Sequence, residues 1–513
     1  MIDNTEVRTR IAPSPTGMFH FGSARVALFN WLFAKKHLGR FILRIEDTDH
    51  ERSKEEYELD AEESLTWLGL GWDEGPETPD LHGPYRQSQR TAIYEKYIKQ
   101  LIDEGSAYYC YCSQEELEKQ GKEQEAQKLP PKYAGHCRNL SPEDTETACQ
   151  QIQKDGRKPV IRFRVPENET IKFKDLIHGQ MAFDSNLIGD FVIVKSNGDP
   201  IFLLSNIIDD AEMKISHVIR GDDHLANTPK QLMLAEAMNL QIAEYGHLPM
   251  ILNPDRTKMS KRKNPTSITH DFRDLGYLPE ALINFMAFLG WTPARHAKQI
   301  TDDGNKSKTD QEFFTLDELV NEFDLADIGK SPSIFDIEKL NFLNGYYIRQ
   351  MSLGELAKRC MPYLEKAGIT QEKNPIINGE KFLSAISLVQ ERMKKLSEVT
   401  ELTSFFFKKP EYDKELLIAK KSNLETTKKA LEESYRVLQD ETDFSRDSIE
   451  SLLRALAVKI NVSAGEVLWP IRVALSGKPA SPGTFELVSH FGKEDTLSRI
   501  KTAIDMLKQE GGK

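Results

Sequence analysis

In the first half of the chain the apolar spacing alternates between that of strands and that of helices. Residues 7–12 form a short strand candidate. Residues 24–36 follow with Leu28, Trp31, Leu32 and Lys35 at a 3–4 spacing, a helix that Gly39 is expected to end. Residues 41–45 are nearly all large and apolar, the pattern of a strand buried on both faces. Residues 51–68 predict a second helix closed by Gly69 and Gly71. Strand, helix, strand, helix in this order predicts an α/β domain with a doubly wound parallel sheet.

The pattern then changes. Residues 78–86 read as a loop and 91–104 as a helix with Ile93, Tyr97 and Leu101 on one face. Residues 114–128 are charged, a solvated helix stopped by Pro130 and Pro131. Residues 160–165, 170–173 and 190–196 read as strands, with Asn197-Gly198 a hairpin turn. Residues 86–202 therefore read as an α+β insertion that splits the sheet domain into 1–85 and 203–257. Residues 201–208 are expected to return to the sheet, 215–219 to be a further buried strand, 228–238 a helix and 247–252 a last strand. Residues 279–289 predict an apolar helix and 300–311 a polar surface loop. Beyond residue 345 every periodic stretch is helical: 353–367, 379–395, 413–438, 449–460 and 493–508. That region, 346–513, has no repeat and no run of short, evenly spaced strands such as a β-barrel needs.

Composition narrows the class. The 513 residues are 39% hydrophobic and 29% charged, ordinary for a soluble protein of several domains. No apolar run approaches the roughly 18 residues of a membrane span, and the first ten residues lack a signal-peptide core. Five cysteines do not make a disulfide framework, so a reducing cytoplasm is expected. The net charge of −12 argues, taken alone, against a nucleic-acid partner. Binding depends, however, on where basic residues cluster, and such a chain would need a local basic track and would bind with strong salt dependence.

The chemistry begins at residues 13–23: Pro13-Ser14-Pro15-Thr16-Gly17-Met18-Phe19-His20-Phe21-Gly22-Ser23. Two prolines and a glycine break the strand before the helix starts. His20, Gly22 and Ser23 then fall at the helix start, where unpaired N–H groups and the positive dipole end suit a phosphate. Gly22 leaves room for close approach, and His20 can donate to phosphate oxygens. Alone, this stretch reads better as a plain strand–turn–helix with a surface histidine. A second element changes the balance. Lys258-Met259-Ser260-Lys261-Arg262 lies between Asn253-Pro254-Asp255 and Asn264-Pro265, a loop with two ammonium groups that can face one side.

Together the two elements resemble the His-x-Gly-His and Lys-Met-Ser-Lys-Ser motifs of class I aminoacyl-tRNA synthetases. The wording Arg10-Ile11-Ala12 through Arg25, and Arg44-Ile45-Glu46-Asp47-Thr48-Asp49, is similar to the glutamyl-tRNA synthetase subgroup, and the likeness runs through nearly the whole chain. It implies a Rossmann-like catalytic domain, an insertion that holds the acceptor end of tRNA, a lysine-motif and stem-contact region at 258–345, and a helical anticodon-binding region at 346–513. It implies activation of glutamate by ATP with Mg²⁺ to glutamyl-adenylate, with tRNA bound, and then transfer to the terminal ribose. It implies His20, Lys258 and Lys261 as catalytic. ATP would also meet Pro13, Ser14, Gly22, Ser23 and Asp223, and Met259, Ser260 and Arg262 of the lysine loop. Glutamate has two carboxylates and one ammonium. Arg10 would take the side-chain carboxylate, Glu46 and Ser14 the ammonium, and Arg220 with Asn206 the rest, beside Phe202. As residues alone, Arg10 and Arg220 read equally well as ion-paired structural arginines. Arg392 and Arg472 are the anticodon candidates.

Three features depart from the family pattern. Ser23 stands where a second histidine is usual, though serine still donates to phosphate. Phe202 stands where a tyrosine hydroxyl usually contacts the substrate, a hydrogen bond worth about 1 kcal/mol. Cys110, Cys112 and Cys137 are similar to the zinc knuckle of some relatives, with Asn139 at the fourth position, so a site without metal is favoured. A monomer is expected. The main alternative is a non-discriminating enzyme that also charges glutamine tRNA. A glutaminyl-tRNA synthetase is opposed by the helical second half, a truncated paralogue by its length, and a retired RNA-binding protein by intact His20, Lys258 and Lys261.

Overall fold

The computed structural model describes residues 6–78, 82–129, 132–257, 259, 266–293, 313–369 and 379–508. The chain divides into two compact units, Met1–Arg273 with Pro279–Ile337, and Asp274–Leu278 with Glu338–Lys513.

In the first unit, strands Arg8–Ile11 and Arg40–Leu43 pair in parallel, residue 8 opposite 40. The helix between them, Phe21–Lys36, buries Ala24, Ala27, Leu28, Phe29, Leu32 and Ala34 and carries Lys35 and Lys36 in its last turn, where cations suit the dipole. Its left-handed terminal residue is Leu38, not Gly39. Gly39 serves another need: a Cβ there would lie 2.0 Å from the Val7 carbonyl oxygen, so only glycine lets the chain return alongside the first strand.

Strands His217–Gly221 and Glu244–Leu248 are also parallel. Ser216 joins them to the first pair, donating its N–H to the Arg8 carbonyl (3.0 Å) and accepting the Arg8 N–H on its hydroxyl (2.7 Å). On the far side the hairpin Thr170–Asp175/Gly179–Asp184 continues the sheet, with Asp175 parallel to Tyr245. A separate antiparallel sheet is built from Ala107–Cys110, Val160–Phe163 and Val192–Val194.

One element differs in kind from its sequence pattern. Residues 201–208 do not return as a strand; Phe202–Glu212 is a helix. Its apolar run mimics a buried strand, but Leu203, Leu204, Ile207 and Ile208 fall at helical spacing and pack with Met233 and Leu234. Buried Asp209 and Asp210 on its next turn are held by arginines of neighbouring elements.

The second unit is helical, and its described residues contain no strand. The stretch 413–438 splits into a short turn, Lys414–Leu417, and a helix Leu424–Asp440 whose start is capped by Asn423 accepting the Thr426 N–H (2.8 Å). The last helix, Thr484–Lys508, is two helices joined at Gly492, where φ is +69°. The polar stretch 300–311 lies outside the described residues.

Candidate active site

A cavity of about 590 Å³ opens at the carboxyl ends of the parallel strands. All six residues expected to hold glutamate line it: Arg10, Ser14, Glu46, Phe202, Asn206 and Arg220. So do His20, Gly22, Ser23, Asp223 and Met259. Pro13 lines a neighbouring cavity of about 340 Å³, shared with Ser14, His20 and Ser23. Lys258, Ser260, Lys261 and Arg262 lie outside the described residues. The chain that follows them is fixed to the Pro13–Ser23 turn. Phe21 donates its N–H to the Thr266 carbonyl (2.7 Å), and Ile268 to that of Phe19 (3.1 Å). Buried Asp60 accepts the Phe19 N–H on one oxygen (2.6 Å) and the Thr269 hydroxyl on the other.

The helix start is wired differently from expectation. Its amides are not left for a phosphate. Gly22 and Ser23 donate to Nδ1 of His20 (3.0 and 3.3 Å), Phe21 to Thr266, and Ala24 to the His20 carbonyl (3.0 Å). The imidazole is itself the N-cap. Because Nδ1 accepts, the ring proton of the neutral form sits on Nε2, which lies 3.3 Å from the Ser23 hydroxyl. Nε2 and the Ser23 Oγ are thus the groups this turn presents. Glycine at 22 leaves room for the imidazole, since a Cβ there would lie a tight 3.0 Å from its Cε1.

Beneath the cavity lies a buried ion cluster. Arg10 grips Asp210 with Nε and Nη2 (3.1 and 3.2 Å). Arg44, fully buried, donates Nη1 to Asp210 (2.7 Å) and Nη2 to Glu46 (3.2 Å) and lies 3.9 Å from Asp209. Asp209 also takes Arg90, Gln87 and Tyr94. Glu46 accepts the Asn206 amide (2.8 Å), and Asn206 accepts Gln231 (2.9 Å). Burial pushes the Glu46 carboxyl above its ordinary range, against the pull of Arg44, Asn206 and Arg10.

Arg220 is the exception among these arginines. It is 4% exposed and has no carboxylate partner among the described residues. Its Nε donates to His247 (3.2 Å) and its Nη2 to the Thr228 hydroxyl (2.9 Å), while its plane lies over the Tyr245 ring at 5.2 Å. Nη1 is buried with no partner among the described residues. Burial lowers its pKa to about 10, so it stays charged at neutral pH. A buried, unneutralised guanidinium at a cavity wall is a receptor for an anion. Burial, and then the Arg220 charge, also lower His224 to about 4, and its neutral ring packs against Phe202 at 5.1 Å.

Two matches account for almost the whole chain. Residues 6–342 match the family described as "tRNA synthetases class I (E and Q), catalytic domain", and residues 355–504 match "Anticodon binding domain". The chain belongs to the class I glutamate–tRNA ligase family. The glutamate–tRNA ligase of Symbiobacterium thermophilum is 42% identical over 96% of this chain and 99% of its own. That of Carboxydothermus hydrogenoformans is 42% identical, again over 96% and 99%. A crystal structure of a glutamate–tRNA ligase from Elizabethkingia meningosepticum, in complex with its amino acid, superposes with TM-score 0.82 at 33% identity, over 98% of this chain and all of the other.

In this class I ligase the expected anticodon residues both lie in the helical unit. Arg472 stacks on Trp469 (4.8 Å) and donates to the Pro479 carbonyl (3.1 Å). Burial, and then the nearby positive charge of Arg392, lower its pKa. The cysteine knuckle holds a group that sequence reasoning missed. Cys110, Cys112 and Cys137 have sulfurs within 4.8 Å of one another. The Tyr133 hydroxyl lies among them, 3.5 Å from Cys110 and 3.4 Å from Cys112. Ligand sulfurs around a tetrahedral zinc lie roughly 3.8 Å apart, and Cys112–Cys137 at 3.6 Å is near that spacing. No signal of spacing pointed to Tyr133, because it precedes the second half of the knuckle.

Proposed function

We propose that this ligase joins L-glutamate to tRNA(Glu) with the residue roles that follow. The observation that carries the reading is the orphaned Nη1 of Arg220 beside Arg10 and Glu46, with His20 on the same cavity. Arg220 and Arg10 take the two substrate carboxylates, each as a fixed guanidinium donor. Glu46, with Ser14, takes the ammonium, and Asn206 holds Glu46 in place. A carboxylate oxygen of glutamate then attacks the α-phosphorus of ATP, the bond to the bridging oxygen breaks, and pyrophosphate leaves. His20 Nε2 and Ser23 Oγ donate to the phosphates, and Asp223 contacts the nucleotide. Lys258 and Lys261, on the loop with Met259, Ser260 and Arg262, stabilise charge on the departing pyrophosphate. Mg²⁺ would supply charge neutralisation on the phosphates; Asp223, exposed and lining the cavity, is an acidic candidate beside it, which suits a cation held mainly by phosphate and water. The terminal ribose hydroxyl of tRNA next attacks the adenylate carbonyl and AMP leaves.

The anticodon is read in the helical unit by Arg392 and Arg472. The cysteine knuckle clasps the insertion, and no step passes through it. The enzyme acts as a monomer in the cytoplasm; among the described residues no helix is long and apolar enough to cross a membrane. The test is glutamate-dependent exchange of pyrophosphate into ATP, with and without tRNA. Exchange is expected with tRNA present, and Lys261→Ala should slow it by orders of magnitude while tRNA binding survives. No exchange in either condition would overturn the reading.

A further inference from the structure

Behind Arg220 lies a buried pair that the mechanism above does not use. His247 is fully buried on the Glu244–Leu248 strand. Its Nδ1 lies 2.6 Å from Asp175 Oδ2, and its Nε2 lies 3.2 Å from Arg220 Nε and 3.0 Å from the Thr228 hydroxyl. Asp175 belongs to the hairpin contributed by the segment between the two catalytic halves. Its Oδ1 collects the backbone N–H groups of Ile177 (2.9 Å) and His178 (2.8 Å).

We propose that Asp175 and His247 form a positioning relay for Arg220, in which Asp175 holds the proton of neutral His247 on Nδ1 so that the Nε2 lone pair orients the guanidinium toward the substrate carboxylate. The reasoning is one of donors and acceptors. An ionised Asp175 can only accept, so the ring proton faces it. Nε2 is then an acceptor, as Arg220 Nε and the Thr228 hydroxyl require. Thr228 in turn accepts Arg220 Nη2. With Nε and Nη2 occupied, Nη1 is the donor left for the ligand. Protonation states agree. Burial would raise the Asp175 carboxyl, but the His247 and backbone hydrogen bonds hold it below its ordinary range. Burial lowers His247, which keeps it neutral. The relay matters because a lone guanidinium beside a cavity is free to turn away, and one held at two nitrogens is not.

This inference rests on the reading of Arg220 as a carboxylate receptor, and the experiment separates the two. Exchange kinetics with tRNA present give KM for glutamate and for ATP. His247→Phe removes both nitrogens and should raise the glutamate KM roughly 10-fold or more, with the ATP KM little changed. Asp175→Asn is nearly isosteric. Its Oδ1 stays with the backbone donors Ile177, His178 and His247, so its amide N–H₂ faces Nδ1 and forces the proton onto Nε2. It should raise the glutamate KM as His247→Phe does. His247→Gln, whose amide can accept from Arg220 and donate to Asp175, should restore most of the loss. Unchanged glutamate KM in Asp175→Asn, or a fall in kcat alone, would overturn the relay. So would a His247→Gln protein no better than His247→Phe. Should His247→Phe fail to fold, Asp175→Asn against His247→Gln decides. Arg220→Ala is the control: an unmoved glutamate KM there would remove Arg220 from the substrate site whatever the relay variants do.

Discussion

The ion cluster under the cavity and the cavity wall around Arg220 bury the same kind of group to opposite effect. Arg44 is wholly enclosed. Burial opposes its charge, but Asp210, Asp209 and Glu46 outweigh burial and hold its pKa above the ordinary arginine range. Arg220 is almost as deep, and its partners are a neutral imidazole, a hydroxyl and a ring face. Its pKa falls to about 10. One arginine is neutralised by the fold; the other is left for something the fold does not contain. A structural arginine and a binding one, both hidden from solvent, are thus told apart by the countercharges around them. Arg10 stands between them, spending Nε and Nη2 on Asp210 while still lining the cavity.

The largest expected effect breaks the structural side. Arg44→Met leaves Asp209, Asp210 and Glu46 with fewer countercharges in a dry site, which should cost about 3–5 kcal/mol of stability. Four of the five tryptophans, Trp31, Trp67, Trp72 and Trp291, lie in the catalytic unit, so urea unfolding followed by their fluorescence reads that unit. A midpoint equal to that of the parent would mean the cluster is not holding the sheet. Arg220→Ala, by contrast, removes a charge with no countercharge and should leave that midpoint nearly in place.

Much of this site was legible before the fold was known. Residues 13–23, Glu46 and the lysine loop carry distinctive wording, and Arg10, Asn206 and Arg220 followed from the resemblance. Arg44 sits two residues before Glu46, yet nothing in a linear sequence says that both charges are buried against the Phe202–Glu212 helix far along the chain. Asp209 and Asp210 were missed for the same reason. Their burial follows from a helix enclosed on every side from Leu203 to Asp210, which no local signal announces. The misread helix at 202–212 follows from a run too apolar for its period to show. The N-cap role of His20 could not be read from spacing, because a histidine at that position can face either the phosphate or its own helix.

A middle-sized effect is expected from titration of Glu46. The Glu46 carboxyl, held above the usual 4.5 mainly by burial, takes up a proton earlier than an ordinary glutamate as pH falls. Once protonated it no longer attracts the substrate ammonium. The glutamate KM of the parent should therefore rise as pH drops into that window, beyond what protonation of free glutamate explains. Glu46→Gln has no charge to lose. Its KM should be higher at neutral pH and rise less on acidification. Equal pH profiles for the two proteins would place the ammonium elsewhere.

The smallest effect tests the cavity wall at Phe202. Phe202 begins its helix with the ring against His224 and supplies no hydrogen-bonding group to the cavity. Phe202→Tyr adds one hydroxyl to a site that otherwise selects by charge. If the hydroxyl reaches the substrate it contributes about 1 kcal/mol, a roughly 5-fold lower glutamate KM. Steady-state exchange kinetics resolve that factor. An unchanged KM would mean that the hydroxyl is taken up by neutral His224 beside it, and that this enzyme discriminates glutamate through its buried charges alone.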